Sequence, residues 1–205
     1  LRPWLVEHWP EVRAALDAGT YRPAPVGQVM IPKPDGRMRM LGVPTVLDRL
    51  IQQAIAQALT PVFDPAFSPY SFGFRPGRGA HDALRSLNRT LYQGNVSWIL
   101  EADIQSFFDS ICRKKLMEML RERVTDGSMS RLVGKCLNVG ILDGAEYSEP
   151  DEGTVQGSSL SPLLGNVYLH YVLDLWFERD VLPRLRGKAY LVRYADDFVI
   201  GFELE

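Results

Sequence analysis

Two adjacent carboxylates, Asp196 and Asp197, are the side chains of this sequence best suited to bind a metal ion. Apolar segments at residues 190–192 and 198–200 flank them and predict a strand hairpin with both carboxylates at its tip. Like charges at a tight turn repel one another, and a bound divalent cation removes that repulsion. Taken alone, the pair fits a solvated Asp-Asp turn equally well, because Asp is common in turns.

A third carboxylate, Asp103, lies at the end of another apolar strand, around residues 98–100. If that strand end lies beside the hairpin tip, the three carboxylates complete a site for two metal ions about 3.5–4 Å apart. Oxygen ligands favour Mg²⁺, with Mn²⁺ as a possible substitute, over zinc. We therefore predict a pair of Mg²⁺ ions that activate a hydroxyl nucleophile and stabilise charge on a leaving pyrophosphate.

The elements around these carboxylates predict an α+β fold, an antiparallel sheet covered on one side by helices. Helices are predicted at residues 1–18, 45–59, 81–92, 113–124, 129–139 and 160–182. Strands are predicted at 26–32, 38–43, 96–104, 189–194 and 198–202, with a small hairpin within 140–153. Residues 61–79 are predicted to be irregular, and a connection of that length usually carries function.

Composition describes an ordinary globular chain. It has 205 residues, of which 46% are hydrophobic and 23% charged, and no apolar run reaches the roughly 18 residues that span a bilayer. Cys112 and Cys136 lack metal-ligand spacing, so we predict free thiols and a cytoplasmic location. The first residue is Leu1 rather than Met, which predicts an excerpt of something longer.

The net charge of −2 conceals an uneven distribution. Residues 20–93 contain nine Lys and Arg but four Asp and Glu, a net of +5. Residues 94–205 contain twelve basic and eighteen acidic residues, a net of −6. A basic half suits a phosphate backbone and an acidic half suits metal ions, although charge alone fits a chance imbalance equally well.

Short motifs in a fixed order give the chain a family resemblance. They are Ile31-Pro32-Lys33-Pro34-Asp35-Gly36, Arg39-Met40-Leu41-Gly42-Val43-Pro44, Asp48-Arg49, Tyr70-Ser71-Phe72-Gly73-Phe74-Arg75-Pro76-Gly77-Arg78, the block at 103–109, Gln156-Gly157-Ser158, Leu160-Ser161-Pro162-Leu163 and Tyr194-Ala195-Asp196-Asp197. The last motif alone is weakly specific, but the ordered set is very specific. The chain therefore resembles group II intron-encoded reverse transcriptases and their close bacterial relatives.

The resemblance implies the fingers and palm of a right-hand polymerase, with an antiparallel palm sheet packed on helices. It implies fingers at residues 1–96, palm at 97–112, a fingers/palm insertion at 113–153 and palm again at 154–205. Family members continue into a primer grip and a thumb. We therefore expect the chain to stop before both, and to polymerise weakly or not at all by itself.

The implied activity is RNA-directed DNA polymerisation, in which two metal ions assist nucleotidyl transfer from a dNTP to a primer 3′-hydroxyl. The implied partners are an RNA template, a DNA or RNA primer, dNTPs and intron RNA. Asp103 and Asp196 match the principal metal ligands, Asp197 assists, and the carbonyl of Ile104 contributes.

Further residues gain roles from the same resemblance. Lys33 and Arg39 match fingers residues that hold the incoming triphosphate, a role that suits a point charge and a forked guanidinium. Gln156 matches a nucleotide-binding position and Gly157 a template-binding one. Val155 departs from the family pattern, because many relatives have Pro there, and this puts the local turn in doubt.

Aromatic and basic residues complete the expected site. Arg75, Arg78 and Tyr194 are expected to contact template or primer through phosphate binding and stacking. Phe108 matches an aromatic under the sugar ring that would clash with a 2′-hydroxyl and select deoxynucleotides. Phe107 and Phe108 are expected to point to opposite sides, so that one joins the core and the other forms the gate.

Three other functions remain open at this point. An RNA-dependent RNA polymerase shares the palm, but usually carries a polar sugar selector instead of Phe108. A nucleotidyl cyclase-like enzyme shares the paired carboxylates, but would not need the fingers motifs. An inactive RNA-binding, maturase-type protein is the non-enzymatic reading, and the complete acidic triad argues against it.

Overall fold

The computed structural model describes residues 2–32, 36, 38–144, 146–148, 153–154 and 157–204. The helices are α1 (Arg2–Asp17), α2 (Val46–Phe63), α3 (Ala80–Gln93), α4 (Phe107–Ser110), α5 (Arg113–Arg121), α6 (Gly127–Leu137) and α7 (Ser161–Leu169). The strands are β1 (Val26–Pro32), β2 (Met38–Val43), β3 (Trp98–Asp103), β4 (Ile141–Asp143), β5 (Glu146–Ser148), β6 (Ala189–Tyr194) and β7 (Asp197–Phe202).

The first sheet has the strand order β2-β1-β4-β5. The predicted hairpin of β1 and β2 is present and antiparallel, with Gly27 opposite Val43. The predicted small hairpin is also present, as β4 and β5, and it joins the sheet because β4 pairs in parallel with β1 at Val26 and Ile141. Residues more than a hundred positions apart in sequence therefore form one sheet.

The second sheet has the order β3-β7-β6 and is antiparallel throughout. Strand β7 lies in the centre, so it is hydrogen-bonded on both edges. Two residues, Ala195 and Asp196, connect β6 to β7, as the sequence predicted for a tight hairpin.

The main hydrophobic core lies between one face of the second sheet and the helices. Leu191 and Ile200 of the sheet belong to it, as do Ile55 of α2, Leu116 of α5 and Val167 of α7. These side chains are at most 6% exposed. The prediction of a sheet packed on helices is thus confirmed. Helix α2 begins as expected, because the Thr45 hydroxyl accepts the backbone N–H of Asp48 at 3.1 Å.

Two predicted elements differ in detail. Helix α2 extends to Phe63 and is followed by a 3₁₀ turn at Asp64–Ala66, so the irregular connection is shorter than predicted. The long helix predicted at 160–182 is continuously α-helical only as far as Leu169. It then has π-helical hydrogen bonding at His170–Asp174 and Phe177–Val181, with two α-helical residues between these segments. Apolar periodicity does not distinguish these two hydrogen-bond patterns. Within the described ranges, no helix is both long and apolar enough to cross a membrane.

Candidate functional site

The hairpin of β6 and β7 carries Asp196 and Asp197 at its tip. A two-residue hairpin turn requires a left-handed backbone conformation, and Ala195 supplies it with φ of 58°. That conformation costs an L-residue about 1–2 kcal/mol, and it persists where the surroundings enforce it. The turn places Asp196 in the loop and Asp197 at the first position of β7.

Asp103 lies beside this tip, as the sequence predicted. It is the last residue of β3 and stands directly opposite Asp197 in the antiparallel ladder. Directly opposed residues in such a ladder have Cβ atoms about 4.5–5.5 Å apart. The structure therefore brings the three predicted carboxylates to one end of one sheet, although Asp103 and Asp197 are 94 positions apart.

At this end of the sheet, the surroundings disfavour the ionised form of an aspartate. Partial burial raises the pKa of Asp197, and the negative charges of Asp196, Asp103 and Glu101 raise it further. No ion pair among the described residues involves the three aspartates. The repulsion is therefore not relieved by protein cations in the described part of the chain.

The donor set fits a hard divalent cation, because it consists of carboxylate oxygens. No group of three or more His, Cys, Asp or Glu side chains is close enough to hold a metal ion, as far as the described residues show. The carboxylates thus lie at one end of the sheet, and they do not converge on a single point in this structure. Ile104, whose carbonyl the sequence assigned to the same site, follows Asp103 directly and is half-buried.

Phe107 and Phe108 do not point to opposite sides, and that expectation is wrong. Residues 107–110 form helix α4 instead of an extended strand, so consecutive side chains are not on opposite faces. The two rings meet edge to face with centroids 5.0 Å apart, and both rings pack close to Gly165 of α7. Phe107 is nevertheless a core residue, at 5% exposed, and Phe108 is half-buried. Ser106, with φ of 50°, makes the sharp change from β3 towards α4.

Arg39 lies on β2, opposite Ile31 of β1, and is exposed. Two other residues predicted to bind the nucleotide, Lys33 and Gln156, lie outside the described residues. Gly157 is described, and its φ of 104° is open mainly to glycine. A Cβ atom on Gly157 would lie 2.6 Å from the carbonyl oxygen of Gly42, so this residue closes tightly against β2.

Arg75 is not positioned to touch a template. Its side chain is 3% exposed and forms a salt bridge of 2.7 Å with Asp64. The guanidinium also donates to the carbonyl oxygens of Asp64, Ser68 and Ser71 at 2.7–2.9 Å. The guanidinium of Arg75 thus uses its hydrogen bonds to hold its own loop together. The predicted template contact of Arg75 is wrong, and its role is structural.

Arg78 and Tyr194 keep surface positions. The Arg78 guanidinium lies 5.4 Å from the centre of the Phe72 ring and is half-buried, and burial together with the charge of Arg75 lowers its pKa. Tyr194 is 38% exposed and directly precedes the hairpin turn. Phe74 is 53% exposed and has a left-handed φ of 56°, which is strained for a bulky residue.

Sequence reasoning missed a buried polar network directly behind the turn. Its members are Gly73, Asn166, Asp174 and Arg193, and the three with polar side chains are at most 2% exposed. The available signal was a charge inside an apolar segment. Arg193 interrupts the apolar run of β6, and Asp174 interrupts an apolar helix.

Comparison with known proteins agrees with this geometry. A family model described as "Reverse transcriptase (RNA-dependent DNA polymerase)" matches residues 31–205. "Protein YkfC" of Escherichia coli (strain K12) is 33% identical over 217 residues, covering 92% of this chain and 57% of that protein. "Group II intron-encoded protein LtrA" of Lactococcus lactis subsp. cremoris is 40% identical over 171 residues, covering 81% of this chain and 28% of that protein. The chain thus spans little more than half of the first relative and under a third of the second.

Solved structures show the same fold. A partial Cas6-RT-Cas1–Cas2 complex matches the whole of this chain and 34% of its own, with a TM-score of 0.60 and 25% identity. Telomerase from Candida albicans, in complex with a fragment of telomeric RNA, matches 92% of this chain and 38% of its own. Its TM-score is 0.66 at 14% identity, which is evidence for the fold alone. The α+β fold and the resemblance to group II intron-encoded proteins are confirmed, and the chain belongs to the reverse transcriptase family.

Proposed function

We propose that this chain carries the fingers and part of the palm of an RNA-directed DNA polymerase of the group II intron-encoded type. The observation that carries the proposal is the pairing of Asp103 with Asp197 in the ladder, with Asp196 next to them at the hairpin tip. Membership of the reverse transcriptase family supports the reaction class. The proposed reaction transfers a nucleotide from a dNTP to a primer 3′-hydroxyl on an RNA template.

Asp103, Asp196 and Asp197 would hold two Mg²⁺ ions, with the Ile104 carbonyl as a further oxygen ligand and Mn²⁺ as a possible substitute. When bound, these ions supply activation of the primer hydroxyl and stabilisation of negative charge on the leaving pyrophosphate. The raised pKa of Asp197 supports this assignment, because it reflects partial burial together with neighbouring negative charges, and a bound cation would offset both effects.

Four residues are proposed to bind the incoming dNTP. Lys33 and Arg39 would neutralise the triphosphate, and Gln156 would contact the nucleotide near the template. Phe108 would lie under the sugar and exclude a 2′-hydroxyl. Its half-buried ring packs against the Phe107 ring and lies close to Gly165, and these contacts would hold it in place as a steric barrier.

Template and primer contacts are proposed for Arg78, Gly157 and Tyr194, and no longer for Arg75. The Arg78 guanidinium lies over the buried Phe72 ring and donates to the carbonyl oxygens of Pro69 and Ser71. Its half-buried positive charge supports a contact with a template phosphate. Gly157 would contact the template or primer through its backbone atoms, because its tight contact with Gly42 leaves no room for a side chain on that face.

An RNA partner is also supported by a basic cavity of about 730 Å³ beside α5 and α6. Its charged lining residues are Arg22, Arg121, Arg131 and Lys135, and no acidic residue lines it among those described. Such a lining attracts phosphate groups. Since the relative LtrA is named as encoded by a group II intron, we propose intron RNA as one ligand of the longer protein.

Three further assignments stay predictions. The first is the division into fingers (1–96), palm (97–112 and 154–205) and a fingers/palm insertion (113–153). It is supported by β4 of the insertion, which pairs with β1 of the fingers. A cytoplasmic location rests on the cysteine usage. A maturase-type role in RNA binding is compatible with a relative named "Nuclear intron maturase 4, mitochondrial" of Arabidopsis thaliana, at 29% identity.

Primer extension on an RNA template tests the proposal. The assay compares dNTPs with rNTPs in the presence of Mg²⁺, using the full-length protein and its Asp196→Ala variant. We expect DNA product from the unmodified protein and a loss of at least about 10³-fold in the variant, since charge stabilisation by the metals is lost. Asp17→Ala, which removes an exposed carboxylate of α1, is the matched control and should retain activity.

An RNA product would replace the proposal with an RNA-dependent RNA polymerase. Equal activity in the Asp196→Ala variant would show that these carboxylates do not perform the chemistry. Binding of RNA without any extension, by protein that contains all three aspartates, would favour the maturase-type alternative.

A further inference from the structure

Arg193 is completely buried, which is rare for an arginine and requires an explanation. It is the fifth residue of β6 and lies two positions before Ala195, the first residue of the hairpin turn. Its guanidinium makes four hydrogen bonds. Nε and Nη2 donate to the two carboxylate oxygens of Asp174 at 2.9 and 2.8 Å, a bidentate pair. Nη1 donates to Asn166 Oδ1 at 3.0 Å and to the carbonyl oxygen of Ala195 at 2.9 Å.

The bond to Ala195 acts directly on the turn that carries the carboxylates. The carbonyl of Ala195 belongs to the peptide group that links it to Asp196, and a peptide group is planar. A hydrogen bond that fixes this carbonyl therefore also fixes the orientation of the peptide plane that leads into Asp196. Ala195 also has the strained left-handed φ of 58°, so this peptide needs an external constraint to stay in place.

A second contact holds the opposite side of the same residue. The backbone of Gly73 approaches so closely that a Cβ atom there would lie 2.3 Å from the nitrogen of Ala195. The side chain of Asn166 connects the two contacts, because its Nδ2 donates to the carbonyl oxygen of Gly73 at 2.7 Å while its Oδ1 accepts from Arg193. Backbone bonds of 2.9 Å join Arg193 to Tyr70 and Phe72 along the same loop.

Stability alone does not explain an ion pair at this position. Removing two charges from water costs several kcal/mol per ion, and apolar residues of similar volume often stabilise a fold equally well or better. What apolar residues do not provide is a donor to the Ala195 carbonyl. The acceptor Asp174 lies in the π-helical segment His170–Asp174, and such segments are frequent at functional sites.

We propose that Arg193, oriented by Asp174 and Asn166, is a positioning residue that holds the Ala195–Asp196 peptide in the geometry needed for nucleotidyl transfer. We call these three residues the turn clamp. The inference rests on the proposed function for its kinetic consequence, but the mechanical part, a rigid turn, does not. Arg193 would act through the Ala195 carbonyl and not on the reacting atoms themselves.

The test separates positioning from simple folding with the double variant Arg193→Met/Asp174→Leu, in which apolar side chains replace both charges. We expect it to fold with a melting temperature within a few degrees of the unmodified chain. Amide hydrogen exchange at residues 194–198, measured without metal, should become at least about tenfold faster. The β1–β2 hairpin provides the internal control, since its exchange should not change.

The kinetic arm uses the full-length protein in primer extension. We expect kcat to fall by about 10²-fold with a change of less than about threefold in the dNTP KM, because a displacement of about 1 Å at the reacting centre has an effect of that size. A stable double variant with unchanged exchange and unchanged kcat would overturn the proposal. Faster exchange in a protein that shows no polymerase activity in any form would overturn the proposed function and leave the turn clamp standing.

If the double variant does not fold, hydrogen exchange in the Arg193→Lys variant provides the deciding test. Lysine keeps a positive charge opposite Asp174, but it lacks the second nitrogen that reaches the Ala195 carbonyl. Faster exchange at 194–198 in a folded Arg193→Lys variant supports the turn clamp, and exchange equal to that of the unmodified chain refutes it.

Discussion

Gly73→Ala is the substitution whose effect follows most directly from the structure. The added Cβ would lie 2.3 Å from the nitrogen and 3.0 Å from the Cα of Ala195, and 3.0 Å from the carbonyl carbon of Tyr194. All three are backbone atoms, so no side-chain rotation relieves the overlap. Ordinary contact begins at about 3.5 Å, and the hairpin tip must therefore move by about 1 Å.

Two effects set the size of the stability change. Overpacking costs about 1–3 kcal/mol, whereas the stiffer unfolded chain of the alanine variant returns about 0.4–1 kcal/mol. The midpoints of these two ranges leave a net loss of about 1.3 kcal/mol of unfolding free energy, or about 3–5 °C in melting temperature for a chain of this size. A displacement of about 1 Å at Asp196 should reduce kcat for primer extension by about 10²-fold.

Thermal unfolding and primer extension measure the two effects on the same preparation. Gly27→Ala in β1 is the matched control, because the nearest atom to its added Cβ is the Val43 carbonyl oxygen at 3.9 Å. It should leave the melting temperature and kcat unchanged or raise the melting temperature slightly. If Gly73→Ala behaves like Gly27→Ala in both assays, the close packing of residue 73 against the turn does not exist in solution.

Three other outcomes are expected. Phe108→Ala should raise the use of rNTPs relative to dNTPs by about tenfold or more, measured as the ratio of kcat/KM values, and an unchanged ratio would remove Phe108 as the sugar selector. Partial burial and the neighbouring carboxylates raise the pKa of Asp197, so its ionised form is disfavoured in the fold, and stability declines as pH rises from the pKa of the unfolded chain through that of the folded chain. Asp197→Asn should therefore melt higher at pH 7, and it should gain less stability than the unmodified chain when Mg²⁺ is added. Burial raises the pKa of Cys136 to about 12, so at pH 8 iodoacetamide should modify Cys112 first, and equal labelling rates in the folded chain would contradict this burial.

The sequence predicted those parts of the fold that local patterns encode. Apolar segments and turn residues located the three hairpins, and strand ends indicated where Asp103 and Asp197 would meet. The pairing of β3 with β7 joins residues far apart in sequence, but few registers of an antiparallel sheet bury the apolar faces of both strands.

Other features depend on groups that become neighbours only after folding. Arg75 has the composition of a surface arginine in a loop, yet the loop wraps around it and supplies three carbonyl acceptors. Arg193 is similar, since its acceptors come from residues 166, 174 and 195. Sequence periodicity does not indicate which oxygen atoms will surround a guanidinium after the chain has folded. For this reason the buried network was not predicted.

The strand order β3-β7-β6 has a consequence for synthesis on the ribosome. Strand β7 is made after both of its neighbours, yet it lies between them. Until it emerges, β3 and β6 each present an unpaired edge, and unpaired edges invite association between nascent chains. Of these three strands, the one made last therefore lies at the centre, and they form one sheet only after it emerges. A ribosome that stalls shortly before the codon for Asp197 would leave a chain that lacks both the central strand and the place where the carboxylates meet, and such a product should be a preferred client of chaperones and proteases.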